Sequence, residues 1–225
     1  MTSPLSRPDA SAAVARTPWR LLLGSLVASV PVDGLSQALA VAAAAVDACA
    51  GDADDHLTVD LRADRVELAL QPRGVRGVSA RDAELAGLIT AAVSDGLGLR
   101  FAAPAGTPRP VQLLEIAIDA MDIDAVRQFW KAVTGYVDEP GGGNGLVDPA
   151  RQLPTLWFQQ MDEPRTQRNR IHFDLDVAHD EAPARIQAAL DAGGVLVSDA
   201  EARAFWILAD VEGNEICICT WQDRD

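Results

Sequence analysis

The sequence predicts an α+β protein in two successive parts: an antiparallel sheet with helices on one face, then two tandem βαβββ modules. Three observations carry this expectation. Short runs that alternate apolar and polar residues recur along the chain, and each mixes with helix-forming runs that have recognisable caps. The stretch 100–110, "RFAAPAGTPRP", has no periodicity and reads as a linker between two differently patterned halves. After it, the order strand, helix, strands occurs twice.

In the first half, "WRLLLGSLVASV" (19–30) reads as strand material. "DGLSQALAVAAAAVDACAG" (33–51) is alanine-rich, with Asp33 placed to cap a helix and Gly51 to stop it. "LTVDLRA" (57–63) and "RVELALQ" (65–71) alternate and meet at Ala63-Asp64, a hairpin signal. "SARDAELAGLITAAVSDGLG" (79–98) is a second helix; Ser79 is its N-cap, and Asp82 stands where a capping-box carboxylate bonds back. The domain runs over 18–99, behind a leader at 1–17 that is small, polar and proline-bearing and reads as flexible.

The second half, 111–225, opens with the strand "VQLLEIAIDA" (111–120) and the amphipathic helix "DIDAVRQFWKAVTGY" (122–136), which ends at Gly135. Strands follow at 153–161 and 169–177, then a helix at 180–194 stopped by its glycine pair, then strands at 204–210 and 214–221. In the last of these, alternation puts Ile216 and Ile218 on one face and Glu215, Cys217 and Cys219 on the other.

Bulk properties narrow the function. A hydrophobic content of 48% with 23% charged residues supports a real core. The net charge of −14 argues against nucleic acid as a partner, since phosphate binding needs clustered Lys and Arg. No apolar run reaches the roughly 18 residues of a membrane span. The leader lacks the apolar segment of a secretion signal, and three cysteines make no disulfide framework, so a cytoplasmic location is expected. The expected partner is a small molecule, with a homodimer left open.

"LLEIAIDAMDIDAVRQFWKAVTGY", "NRIHFDLDV" and "WILADVEGNEICI" together resemble the vicinal oxygen chelate superfamily, in its glyoxalase-like or bleomycin-resistance branch. The resemblance covers about residues 111–221 and implies paired βαβββ modules that form an open cup. It also implies metal ligands on inward strand positions: Glu115, His172 and Cys217, with Gln159 as a further donor. Cys217 stands where a carboxylate is expected, and Glu215 lies two positions earlier on the same face. A thiol in that place departs from the oxygen- and nitrogen-rich site that the family uses with nickel, zinc or iron. A single divalent metal (Zn, Ni or Fe) is therefore the cofactor to test, and the metal-free reading is preferred. His172 and Glu215 are the catalytic candidates there. Trp130, Trp157 and Trp206 are the aromatic candidates for ligand contact, against the simpler reading that they are core.

"DDHLTVDLRADRVELALQPRGVRGVSARDAELAGLI" (54–89) resembles the pterin-4a-carbinolamine dehydratase family, whose histidines dehydrate a 4a-hydroxytetrahydropterin by acid–base catalysis. Of its catalytic positions, the first histidine falls on Asp55, the second on His56, the proline on Leu57 and the third histidine on Arg73. His56 and Asp82 remain as catalytic candidates, with Arg73 and Asp55 as ligand contacts, and Asp82 also serves as the helix-capping carboxylate. Two lost imidazoles imply an inactive domain. The functional expectation is thus a glyoxalase-like small-molecule protein, a divergent lyase or dioxygenase-type enzyme, with sequestration of an aromatic or pterin-like ligand and residual dehydratase activity as alternatives.

Overall fold

A computed structural model describes residues 4–102 and 112–223. The chain divides into two compact units, Met1–Leu113 and Leu114–Asp225.

The first unit begins with a helix where a flexible leader is expected. Helix α1 (Arg7–Ala13) starts at Ser6, whose hydroxyl accepts from the Asp9 backbone N–H. Seven residues are too few to stand alone in water, so tertiary anchoring decides the matter. Ala10 and Val14 are buried in the core, and the Leu5 N–H donates to the Val78 carbonyl. The apolar run at 19–30 folds as two strands, β1 (Arg20–Leu22) and β2 (Ser25–Pro31). They are joined by Leu23 and Gly24, both at positive φ (43° and 80°), the pairing that a two-residue I′ hairpin requires.

Helix α2 (Leu35–Cys49) is capped by Gly34, not by Asp33, whose N–H donates to the Gln37 side chain. Gly51 does not end the path: a 3-10 turn and the short α3 (Ala53–His56) carry the chain directly into β3 (Leu57–Leu61). That strand pairs with β4 (Arg65–Leu70) across the Ala63-Asp64 turn. The sheet order is β1-β2-β4-β3, antiparallel throughout. Helix α4 (Ala80–Ala91) follows Ser79 and continues into a π turn at Ala92–Gly96. Leu85, Ala86 and Ile89 of α4 and Ala38, Val41 and Ala45 of α2 share a core with Leu26, Val30, Val66 and Leu68 of the sheet. Phe101 lies against Trp19, with ring centroids 6.3 Å apart, and the Ala102 N–H donates to the Ser29 carbonyl. The first three residues of the expected linker therefore belong to the first unit, and 103–110 lie outside the described residues.

The second unit repeats one module. The first is β5 (Glu115–Ala120), α5 (Ile123–Thr134), β6 (Val137–Asp138), β7 (Leu146–Val147) and β8 (Thr155–Gln160). The second is β9 (Phe173–Asp176), α6 (Ala182–Asp191), β10 (Val195–Ser198), β11 (Phe205–Ala209) and β12 (Glu215–Cys219). The sheet orders are β5-β8-β7-β6 and β9-β12-β11-β10, so first and last strands pair in each. Both of those pairs are parallel. Neither sheet closes into a barrel. Strands β6, β7 and β10 are absent from the sequence expectation, the first two because two residues carry no periodicity.

Helix α5 ends where its sequence predicts and also starts on a side-chain cap. Asp122 accepts from the Ala125 N–H, and Gly135 ends the helix in the left-handed conformation at φ 74°. Val126, Phe129, Trp130 and Val133 of α5 and Ala182 and Ala189 of α6 pack with Ile118, Leu156, Phe158, Leu208, Ile216 and Ile218. Gly194, just after α6, sits against the Phe129 ring and the Ala189 carbonyl, where a Cβ would overlap both. The core takes one face of each sheet, and alternation leaves the other face for chemistry.

Candidate active face of the second unit

On β12, Ile216 and Ile218 point into the core, so Glu215, Cys217 and Cys219 occupy the opposite face, as alternation predicts. The parallel pairing of β12 with β9 then fixes the neighbours: Cys217 is the register partner of Asp174. Phe173 and Leu175 pack on the core side, which leaves Asp174 on the face of Cys217. His172, immediately before β9, brings Nε2 to 3.4 Å from Asp174 Oδ1. One donor atom from each of His172, Asp174 and Cys217 lies within 4.8 Å of the other two.

The electrostatics of this face are uneven. Cys217 is buried while His172 and Asp174 are exposed. Burial pushes the Cys217 thiol up to about 12, reinforced by its hydrogen bond to Asp174 and by that carboxylate's charge. Without a metal it is a protonated, unreactive thiol at neutral pH. Glu215 is held below the usual carboxylate range, chiefly by its hydrogen bonds from Arg168. Arg168 Nε and Nη2 donate to the two Glu215 oxygens at 2.8 and 2.5 Å, a fork-on-fork pair. Asn169 donates to the Asn214 side chain at 2.7 Å, and Arg165 to Asp119 at 3.0 Å. The segment between the modules is thus pinned to β5 through Asp119 and to the β12 end through Glu215 and Asn214.

Of the expected metal set Glu115, His172 and Cys217, the structure brings His172 and Cys217 together, with Asp174 beside them. Glu115 and Gln159 lie on β5 and β8, in the other sheet, and Glu115 is not in the cluster of His, Cys, Asp and Glu donors among the described residues. Glu115 is met by the Thr155 hydroxyl at 3.4 Å, and Gln159 lines a shallow cleft of about 310 Å³ with Asp119, Met161 and Arg165. Asp174 is the third member of that cluster. Such a set does not fit an all-oxygen-and-nitrogen site drawn from both modules, because one donor is a thiol and all three lie in the second module. The signal for Asp174 is its i+2 spacing from His172, which puts both on one strand face.

The aromatic candidates divide. Trp130 is 2% exposed inside the core. Its Nε1–H donates to Asp210 Oδ2 at 2.9 Å, and its ring stands edge-on to Phe129 and Phe173. It cannot contact a ligand, and that expectation is corrected. Trp206 is partly buried and packs against the same core. Trp157 alone remains on the face opposite the core, since its neighbours Leu156 and Phe158 point inward.

In the first unit the structure brings His56 and Asp82 together. His56 Nδ1 lies 2.7 Å from Asp82 Oδ1, with the carboxylate fully buried and the imidazole 15% exposed. Asp82 Oδ2 accepts from both the Ser79 N–H (2.6 Å) and the Ser79 hydroxyl (2.7 Å). Arg73 is adjacent in the backbone, where its N–H donates to the Asp55 carbonyl at 2.7 Å. Its guanidinium, however, donates to the Asp54 carbonyl.

Residues 115–219, most of the second unit, match the model of the glyoxalase-like domain family. No curated protein matches the chain. A hypothetical protein from S. aureus is similar at 16% identity, covering 50% of this chain and 95% of its own, with a TM-score of 0.41. A glyoxalase/bleomycin resistance protein/dioxygenase family enzyme from Burkholderia phytofirmans is similar at 20% identity, covering 47% and 95%, with a TM-score of 0.38. A fosfomycin resistance protein from Mesorhizobium loti is similar at 10% identity, covering 49% and 92%, with a TM-score of 0.39.

Proposed function

We propose that the second unit is a small-molecule enzyme of lyase or dioxygenase type that works on the face formed by β9 and β12. The observation that carries this reading is the convergence of His172, Asp174 and Cys217 on one face of a glyoxalase-like domain. His172 is the proton-transfer group, exposed to an incoming substrate and oriented by Asp174. Glu215, held by Arg168, fixes the rim of the site rather than acting as a free base. The three cysteines are free and buried, which suits a cytoplasmic protein. No helix among the described residues is long and apolar enough to cross a membrane. The test is turnover of a thiol–aldehyde adduct and of a catechol by wild type and by His172→Ala. The expected loss in the variant is roughly a hundredfold or more, with the circular dichroism spectrum unchanged. Absence of turnover, with catechol quenching of Trp157 fluorescence, replaces catalysis by sequestration.

A second reading concerns the first unit and rests on the His56–Asp82 pair at 2.7 Å. One imidazole held by a buried carboxylate is a working general base or acid, even where the rest of a pterin-dehydratase-like set has gone. Residual dehydration of 4a-hydroxytetrahydropterin above the spontaneous rate, lost in His56→Ala, is the expected result under this reading. A rate equal to the spontaneous one leaves the unit without that reaction.

A further inference from the structure

We infer that residues 162–171, which cross from the first sheet of the second unit to the second sheet, form a hinged strap that opens and closes over the β9–β12 face, with the Arg168–Glu215 pair as its latch. The inference deepens the reading above, and rests on it only for what the strap admits. The first argument is where the strap is tied. Ile118 and Ala120 point into the core, so Asp119 between them lies on the opposite face of its sheet, as Glu215 does on its own. Arg165 holds Asp119, and Arg168 holds Glu215. Both ties are on non-core faces. The strap therefore runs along the open side of the sheets and ends next to His172.

The second argument is how it is tied. Upstream, the Met161 N–H donates to the Ala120 carbonyl, and the Gln160 amide donates to the carbonyls of Ala120, Met121 and Met161. Downstream, Phe173 enters β9 and pairs with Ile216. Between these fixed ends every residue from 162 to 171 is exposed, and among the described residues none of them makes a backbone hydrogen bond outside the strands. The ties are side-chain ones: Arg165 to Asp119, Arg168 to Glu215 and Asn169 to Asn214. Nor does the strap pack down on the sheet, since Asp162, Glu163 and Arg165 bound a cleft of about 310 Å³ with Asp119 and Gln159. Exposed ionic ties of this kind hold a segment weakly and release before any core does. The third argument is what the latch covers. Arg168 is 69% exposed, whereas the Glu215 side chain it holds is 14% exposed. The Arg168 guanidinium is held above its ordinary range by the hydrogen bond and charge of Glu215, with a further contribution from Cys217, which is 5% exposed on the same face. Releasing the latch uncovers both.

The test uses the full chain with Cys49→Ala and Cys219→Ala, which leaves Cys217 as its single thiol. The probe is an organomercurial, soft enough to displace a thiol proton at neutral pH, and its rate of reaction reads the exposure of Cys217. Arg168→Ala is expected to speed the reaction roughly fivefold at an unchanged urea midpoint, Arg168→Lys by less, and Asp119→Ala about twofold. Salt at about 1 M speeds the protein that keeps Arg168 by a similar factor and the Arg168→Ala protein hardly at all, because screening acts on the latch. Arg62→Ala, which breaks an exposed pair with Asp60 in the first unit, leaves the rate unchanged. Equal rates with and without Arg168, at low and at high salt, overturn the inference, as does a rise with Arg62→Ala that matches the one with Arg168→Ala. No substrate enters this measurement. A strap that opens in protein without turnover leaves the inference standing and removes the enzyme reading. Turnover that needs His172, in protein whose Cys217 rate ignores Arg168, does the reverse.

Discussion

Trp130→Ala is expected to destabilise the second unit by about 3–5 kcal/mol, the usual cost of emptying a large aromatic site in a closed core. The indole fills the space between α5 and the second sheet, with its ring edge-on to Phe173 at 5.8 Å between centroids. Phe173 is the first residue of β9, one position after His172 and one before Asp174. The cavity left by the substitution therefore opens directly beneath the candidate face. Trp130→Phe separates the two roles of the side chain. It keeps most of the volume and loses only the hydrogen bond to Asp210, so about 1–2 kcal/mol is expected. Asp210 itself stays satisfied, because its oxygens also accept from the Glu212 and Asn214 N–H groups and from the Asn214 side chain. Urea unfolding followed by the fluorescence of the remaining tryptophans checks both values. A Trp130→Ala cost below about 1 kcal/mol would mean that the ring is not core, and would return it to the list of ligand contacts.

The contrast between Trp130 and Trp157 shows what a sequence can and cannot say about a site. Both are aromatic candidates in the sequence, because residue type alone does not distinguish a core ring from a ligand platform. Only the strand or helix face decides. Trp157 stands between Leu156 and Phe158, so alternation already places it away from the core. Trp130 follows Phe129 on an amphipathic helix and shares its apolar stripe. Some caps are legible for the same reason that faces are: the Ser79–Asp82 box and the Gly135 stop of α5 depend on residues within a turn of one another. The helix at Arg7–Ala13 carries equally local signals, Ser6 and a proline in its first turn, but its existence depends on Ala10 and Val14 reaching a core built from distant segments.

The donor cluster marks the boundary most sharply. That Glu215 and Cys217 share a face follows from a period of two. That Asp174 faces Cys217 follows from a parallel register between strands more than forty residues apart, which no local pattern encodes. Glu115 joins His172 by resemblance alone, and it stands on β5, in the sheet of the other module.

Asp82 tests whether the first unit's carboxylate is a structural cap, a positioning residue, or both. Asp82→Ala removes an acceptor used by three donors, the Ser79 N–H, the Ser79 hydroxyl and His56 Nδ1, and leaves them facing a buried gap. The expected loss is about 2–4 kcal/mol, more than an ordinary cap substitution, because the site is closed to water. Asp82→Asn divides the cost. Its oxygen can still accept from Ser79, which keeps the cap and limits the loss to about 1 kcal/mol. Its amide NH₂ then faces His56 Nδ1, where the carboxylate had been. An acceptor-only carboxylate places the proton on Nδ1 and leaves the Nε2 lone pair open as a base, whereas an amide donor requires Nδ1 to accept and moves the proton to Nε2. The fold survives while the imidazole is presented in the wrong tautomer. Nitrogen chemical shifts of His56 report this exchange directly, whatever the substrate. If Asp82→Asn leaves those shifts unchanged, the carboxylate is a helix cap that happens to touch a histidine. If they exchange, the same oxygen pair that starts helix α4 also sets the protonation pattern of the one imidazole the unit retains.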